Sequence, residues 1–99
     1  MTLSGKQARA ARALIELSRE QVAKRAGLTV EALAAFEVGG PLGEEERTRL
    51  RGALEEGGAV FVAADAHGGP GVRLKFNALE VRAIHRMEGE GGPVREDDV

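Results

Sequence analysis

Cysteine, tryptophan and tyrosine are absent from this 99-residue sequence, and phenylalanine occurs only three times. Without cysteine the chain can form no disulfide, no thiolate metal site and no cysteine nucleophile. Because aromatic rings are so few, aliphatic side chains and alanine must fill the core. A chain of this length is typical of one small domain, whose modest core a partner subunit would stabilise.

Long hydrophobic runs are absent as well. No apolar stretch approaches the roughly 20 residues that a membrane-spanning helix needs. The N-terminus also lacks the apolar segment of a secretory signal peptide. We therefore expect a cytoplasmic protein without a membrane partner, and the small format rich in alanine, glycine, arginine and glutamate is typical of bacteria.

The sequence also lacks an overall excess of positive charge. The net charge of −2 by itself argues against a nucleic-acid partner. The charge is unevenly distributed, however, because residues 1–30 carry a net +4, residues 31–56 a net −4 and residues 57–99 a net −2. The basic N-terminal part predicts a surface that can meet a phosphate backbone, although a solvated helix face would have the same composition.

Hydrophobic periodicity predicts four helices in the first part of the chain, over residues 5–17, 18–26, 30–38 and 44–56. Ser4 and Ser18 each stand three residues before a glutamine, which is the pattern of a capping box. Gly27 is expected to end the second helix, and Thr29 to cap the third. Two short helices joined by a tight turn over residues 18–39 are the layout of a helix-turn-helix, whose second helix enters the major groove of DNA.

Beyond residue 58 the pattern becomes that of strands. Residues 60–62 and 72–76 are rich in β-formers, and the second segment alternates apolar and basic side chains. We predict a hairpin, which is marginal alone and must dock on the helices, pair with a second subunit, or both. Residues 77–88 fit a helix or a strand, and we favour a helix. Residues 89–99 are predicted to be a mobile acidic tail.

The predicted fold is therefore mainly α, with three segments. A four-helix helix-turn-helix domain covers residues 1–58. A β-hairpin and a short C-terminal helix follow over residues 59–88 and form a candidate dimerisation element, and the tail covers residues 89–99. The candidate dimer contacts are Val60, Val62, Val72, Leu74 and Phe76, because pairing between subunits would complete the small sheet.

The helix-turn-helix segment resembles the phage-repressor (Xre/Cro) family over about residues 5–57. The residues that carry the resemblance are Gln21-Val22-Ala23, Ala26-Gly27-Leu28-Thr29, Leu33, Phe36-Glu37 and Gly39. The hairpin and tail resemble, more loosely, a C-terminal extension of small bacterial members. Taken together, these likenesses imply a double-stranded DNA-binding regulator.

The resemblance implies a role for individual residues. Arg12 would pair with Glu37 and tie the first helix to the third. Thr29 and Arg19 would lie near phosphates, and the backbone N–H groups of Gly39 and Gly40 would approach the sugar-phosphate chain. The full predicted DNA-binding set is Lys6, Arg9, Arg19, Thr29, Val30, Glu31, Ala34, Ala35, Gly39 and Gly40, with Val30, Glu31, Ala34 and Ala35 facing base edges.

The third helix departs from a typical DNA reader in one respect. It contains no arginine, lysine, glutamine or asparagine, the side chains that make the usual bidentate base contacts. Specificity then comes from Arg19, Arg9 or Lys6 at the edges and from DNA shape, or the domain has lost DNA binding and binds a protein instead. Both explanations are open at this point.

No residue set indicates an enzyme, a cofactor or a metal site. His67 and His85 stand apart without ligand spacing, and Asp97 and Asp98 belong to the tail. We expect a homodimeric, sequence-specific transcriptional regulator, by default a repressor, that reads half-sites about one helical turn apart. The alternatives are a protein-binding adaptor, or an antitoxin whose C-terminal extension wraps a toxin.

Overall fold

A computed structural model of the chain describes residues 3–75. Four helices come first: α1 (Gly5–Ile15), α2 (Arg19–Ala26), α3 (Val30–Glu37) and α4 (Glu44–Glu56). Two antiparallel strands follow, β1 (Ala59–Val62) and β2 (Gly71–Leu74). The predicted mainly α fold with a hairpin after the helices is confirmed. Phe76, the predicted helix over residues 77–88 and the tail lie outside the described residues.

Side chains cap the first three helices where the sequence predicts. Ser4 and Ser18 each accept a hydrogen bond from the N–H of the glutamine three residues later, at 3.1 Å in both cases. Those glutamine side chains accept from the serine N–H groups in return, which completes two capping boxes. Thr29 accepts from the backbone N–H three residues later at 3.0 Å. Local hydrogen bonding therefore decides where these helices begin.

The end of α1 differs from the prediction of a helix to residue 17. Glu16 takes the left-handed conformation with φ 60°, a region that disfavours residues with a Cβ. The N–H of Leu17 then donates to the carbonyl of Arg12 and closes the helix. Gly27 takes the same conformation after α2, with φ 71°, where glycine pays no steric cost. The turn Gly27–Thr29 then leads directly into α3.

Aliphatic side chains from all four helices fill one core, as the shortage of aromatic residues predicts. The most deeply buried are Ile15, Val22, Leu33, Leu50 and Leu54. Phe36 contributes a ring from α3. Because α2 packs against both α3 and α4, the helix-turn-helix segment rests on a continuous apolar support.

The hairpin docks on the helices through one of its two faces. Its register pairs Ala59 with Leu74 and Phe61 with Val72, and all four side chains pack into or against the core. The hairpin contacts α1 and α4. Docking on the helices, one of the two predicted ways to stabilise the hairpin, is therefore confirmed, and the inner side chains of both strands extend the core of the four helices.

Candidate nucleic-acid interface

One face of α3 lies on the surface. Leu33 and Phe36 anchor the helix in the core, whereas Glu31 and Ala35 are exposed. Val38, directly after the helix, is 79% exposed. The hairpin packs mainly on α1 and α4. A surface composed of small apolar groups and one carboxylate is thus open to a partner.

The side chains predicted to read bases do not all reach this surface equally. Val30 is half-buried and packs partly against the core, and Ala34 is also half-buried. Only part of each side chain is therefore available to a base edge. Glu31 and Ala35 are the exposed members of the predicted base-reading set.

The predicted phosphate contacts of α1 and of the turn are accessible. Lys6 and Arg9 are exposed on α1. Thr29 is exposed too, and its hydroxyl already accepts a hydrogen bond in the cap of α3. A hydroxyl that accepts can still donate its own hydrogen, so capping and phosphate contact are compatible at this residue.

The backbone N–H groups after α3 are hydrogen-bonded within the protein. The N–H of Gly39 donates to the carbonyl of Phe36 at 3.0 Å, and that of Gly40 donates to the carbonyl of Ala35 at 2.7 Å. Both groups donate to carbonyls of the last helical turn, beyond which no further turn supplies donors. Both groups therefore have partners within the protein, and the two glycines close the helix. Their approach to the sugar-phosphate chain stays a prediction.

The carboxylate of Glu37 forms the ion pair that the family resemblance implies. Arg12 donates from Nε to Oε2 at 2.8 Å and from Nη2 to Oε1 at 3.1 Å. The Glu37 side chain is only 1% exposed. The hydrogen bonds to Glu37 raise the pKa of Arg12 above its usual value, and they outweigh the opposing effect of burial. The pair joins the last turn of α1 to the end of α3.

Arg19 reaches the same carboxylate, a contact that the sequence analysis missed. Its Nε and Nη2 lie 3.3 Å and 3.2 Å from Oε1 of Glu37. The Arg19 side chain is 39% exposed, so part of it remains in contact with solvent. Eighteen positions separate the two residues, and no short-range spacing in the sequence indicates that they meet.

The cluster of Arg12, Arg19 and Glu37 carries one more positive than negative charge. Arg19 is also the first residue of α2, where the helix dipole adds partial positive charge. Glu20, exposed in the same turn, weakens this field. The exposed part of the cluster lies at the start of the helix-turn-helix, and it favours an anion.

Arg49 is a second residue that the sequence analysis missed. It donates from Nε to the carbonyl of Ala26 at 3.0 Å and pairs with Glu45 at 3.2 Å. Through the first bond, α4 satisfies a carbonyl at the end of α2. Arg49 therefore links α4 to the end of α2 and stabilises the helix-turn-helix.

The predicted dimer contacts divide between the two faces of the hairpin. Val72 and Leu74 are half-buried and pack against the core of their own chain, so only part of each side chain could meet a second subunit. Val60 and Val62 lie on the opposite face, where Val60 pairs with Arg73, and Val62 is 40% exposed. The two valines of β1 are thus the described members of the set that lie on the face directed away from the core.

Within residues 3–75 no helix is long and apolar enough to cross a membrane. The same residues hold no group of three His, Cys, Asp or Glu side chains that could bind a metal ion. An open cavity of about 510 Å³ lies between the start of α1 and β2, and Gln7 and Pro70 are among its lining residues. The Gln7 amide donates to the carbonyl of Gly71 at 3.2 Å and helps to hold the hairpin on α1.

Comparison of the chain with family models and with curated proteins finds no match. Its function has therefore to be inferred from its own residues and their geometry.

Proposed function

We propose that the chain is a sequence-specific double-stranded DNA-binding transcriptional regulator of the phage-repressor type, by default a repressor, that acts as a homodimer. The observation that carries the proposal is the open face of α3, with the excess positive charge of the Arg12, Arg19 and Glu37 cluster beside it. An α-helix with its side chains is about 10–12 Å in diameter, which fits the roughly 12 Å width of the major groove.

Base reading by α3 would depend on close approach rather than on long side chains. Ala34 and Ala35 allow the helix backbone to come near the bases, and Ala35 can contact a thymine methyl. Glu31 can accept a hydrogen bond from the amino group of cytosine. Arg19, Lys6 and Arg9 then supply phosphate contacts, and sequence-dependent DNA shape adds the remaining discrimination.

The uncharged strand β1 supports a second copy of the chain as the dimer partner. Hydrogen-bonded and non-hydrogen-bonded pairs alternate in an antiparallel ladder. Because the N–H of Lys75 donates to the carbonyl of Gly58 at 2.7 Å, Ala59 and Phe61 direct their backbone groups to the outer edge of β1. Charged residues on an edge discourage pairing, and β1 has none.

A protein-binding adaptor is the second candidate function. The observation that favours it is the composition of the open α3 surface, where Val38 is 79% exposed and Glu31 repels phosphates. Such a surface suits an apolar partner with a positive rim. The antitoxin alternative depends on the C-terminal extension, most of which lies outside the described residues.

A selection of random duplexes with the purified protein tests the proposal. We expect enrichment of a site with two half-sites about 34 Å apart. Binding to unrelated duplex should be weaker and should fall steeply as salt rises, because phosphate contacts release counterions. If no duplex is retained even at low salt, DNA reading is ruled out and the adaptor becomes the better proposal.

Arg19→Ala refines this test. If Arg19 contacts a phosphate, we expect weaker binding to every duplex and a salt slope smaller by about 1. If it reads a base, the selected site loses about 1–3 kcal/mol of binding free energy, while other duplexes change little. Arg51→Ala removes the same charge from α4, where Arg51 lies over the Phe61 ring at 5.4 Å, and should leave the affinity of the folded protein unchanged. Unchanged affinity in Arg19→Ala would remove Arg19 from the interface.

A further inference from the structure

Glu37 contacts two arginines although Arg12 alone neutralises its charge. Arg12 engages both carboxylate oxygens at 2.8 Å and 3.1 Å, whereas Arg19 engages Oε1 alone at 3.2–3.3 Å. We propose that Glu37 is a positioning residue for Arg19, which it orients to bind one oxyanion, a phosphate of the DNA backbone, through the free end of its guanidinium. This inference rests on the proposed function and adds to Glu37 a role beyond tying α1 to α3.

The geometry of the guanidinium determines what remains free on Arg19. A guanidinium has five N–H donors in one plane. Arg19 uses its side edge, Nε–H and one N–H of Nη2, toward Glu37. The end edge, formed by Nη1 and the second N–H of Nη2, is left as a fork. Such a fork matches two oxygens of a phosphate and makes a bidentate contact.

The fork is held in a defined plane because Glu37 is itself fixed. The Glu37 side chain is 1% exposed, sits at the end of α3 and is held by Arg12 through both oxygens. A free arginine on a surface would lose much rotamer freedom on binding a phosphate. Arg19 has already lost part of that freedom, so its phosphate contact costs less entropy.

The charge of the cluster and the exposure of Arg19 indicate that the fork binds an anion that approaches from the solvent side. Arg19 is 39% exposed against 20% for Arg12, so Arg19 is the member of the pair that an external ligand can reach. The excess positive charge of the cluster is at the N-terminal end of α2, where partial positive charge of the helix adds to it. Contact through the end edge leaves the two bonds to Glu37 in place.

A double-mutant cycle separates positioning from a purely structural role. The four proteins are wild type, Glu37→Gln, Arg19→Lys and the double variant, each measured for affinity to the selected duplex and for melting temperature. Arg19→Lys keeps the charge but lacks the side edge, and we expect it to lose about three- to tenfold in affinity with little change in melting temperature. Glu37→Gln should lose affinity to a similar extent.

The decisive comparison is Glu37→Gln in the two backgrounds. If Glu37 acts through Arg19, its effect on affinity disappears when residue 19 is already lysine, whereas its effect on melting temperature persists because Arg12 still loses its partner. An equal loss of affinity in both backgrounds overturns the inference and leaves the proposed function intact. If Glu37→Gln does not fold, wild-type affinity in Arg19→Lys overturns it instead.

A separate measurement covers the case in which the wild type binds no duplex, so that the proposed function fails. The NMR signal of the Arg19 Nε–H is followed as inorganic phosphate is added. A saturable shift that is present in the wild type and absent in Glu37→Gln supports an oriented oxyanion site that serves another ligand. No shift in the wild type overturns the inference as well.

Discussion

Gly5 and Gly57 are two of the described glycines at which an added Cβ would crowd another element of the fold. A Cβ at Gly57 would lie 2.8 Å from Cδ1 of Ile15, the flexible end of a side chain that can turn away. A Cβ at Gly5 would collide with the carbonyl oxygen of Phe36, which is part of the backbone of α3 and cannot yield without moving that helix. Gly5 therefore sets how closely the start of α1 approaches the end of α3, where Glu37 lies.

Gly5→Ala is expected to lower the free energy of unfolding by about 1–3 kcal/mol, the usual cost of overpacking. The sign of this change is informative, because alanine is a better helix former than glycine and helix propensity alone predicts a gain in stability. Gly52→Ala is the matched control: nothing lies within 4 Å of its Cβ position in α4, so propensity should add about 0.5–1 kcal/mol. Denaturant unfolding measures both variants, and a Gly5→Ala protein as stable as the wild type contradicts the collision.

At the scale of helices and strands, most features depend on neighbours in the sequence and were predictable from it. The capping boxes of Ser4 and Ser18 join residues three apart, and the third helix begins at Val30 as expected because Thr29 caps it. The end of α1 was not predictable, since Glu16 adopts a conformation that its residue type disfavours. Capping patterns in the sequence therefore predict where the first three helices begin, but they do not predict where α1 ends.

The contacts of the candidate site depend on tertiary packing, and the sequence indicates them less well. The pairing of Arg12 with Glu37 was expected only from a family resemblance, and the second contact from Arg19 was not expected at all. The N–H groups of Gly39 and Gly40 were expected to approach the sugar-phosphate chain, and the hydrogen bonds by which they close α3 were not expected. Each of these depends on how α1, α2 and α3 meet, which no local spacing encodes.

The ion-pair cluster that joins α1, α2 and α3 has a measurable effect on stability. Glu37→Ala leaves two guanidinium groups without their carboxylate, and we expect the free energy of unfolding to fall by about 1–3 kcal/mol. Both arginines are partly exposed, so water limits the loss. Glu31→Ala removes the same charge from an exposed position of α3 and should change stability by no more than about 0.5 kcal/mol.

Thermal and denaturant unfolding of these two variants check the difference. Arg19→Ala should cost less than Arg12→Ala, because Arg19 makes the longer contacts and is the more exposed partner. If Glu37→Ala and Glu31→Ala change the free energy of unfolding equally, the contacts of Glu37 do not stabilise the packing of the three helices.

For the whole molecule, the hairpin sets the limits of a dimer. The inner side chains of β1 and β2 are committed to the core of their own chain, which leaves the outer face of Val60 and Val62 and the edge of β1. Four residues of strand pairing bury less than the roughly 1,200 Å² of a stable interface. If these residues form the whole contact, we expect a dimer that dissociates in about the micromolar range and is strengthened when both subunits bind adjacent half-sites.

Val62→Lys tests this arrangement because it places a charge on the only strand of the described hairpin that lacks one. We expect a folded monomer in sedimentation at concentrations where the wild type is dimeric, since like charges would face each other across the two-fold axis. Affinity for a two-half-site duplex should fall toward that for a single half-site. Ala66→Lys adds the same charge to the exposed loop between the strands and should leave the dimer unchanged. A Val62→Lys protein that remains dimeric would move the contact away from β1 to another surface of the chain.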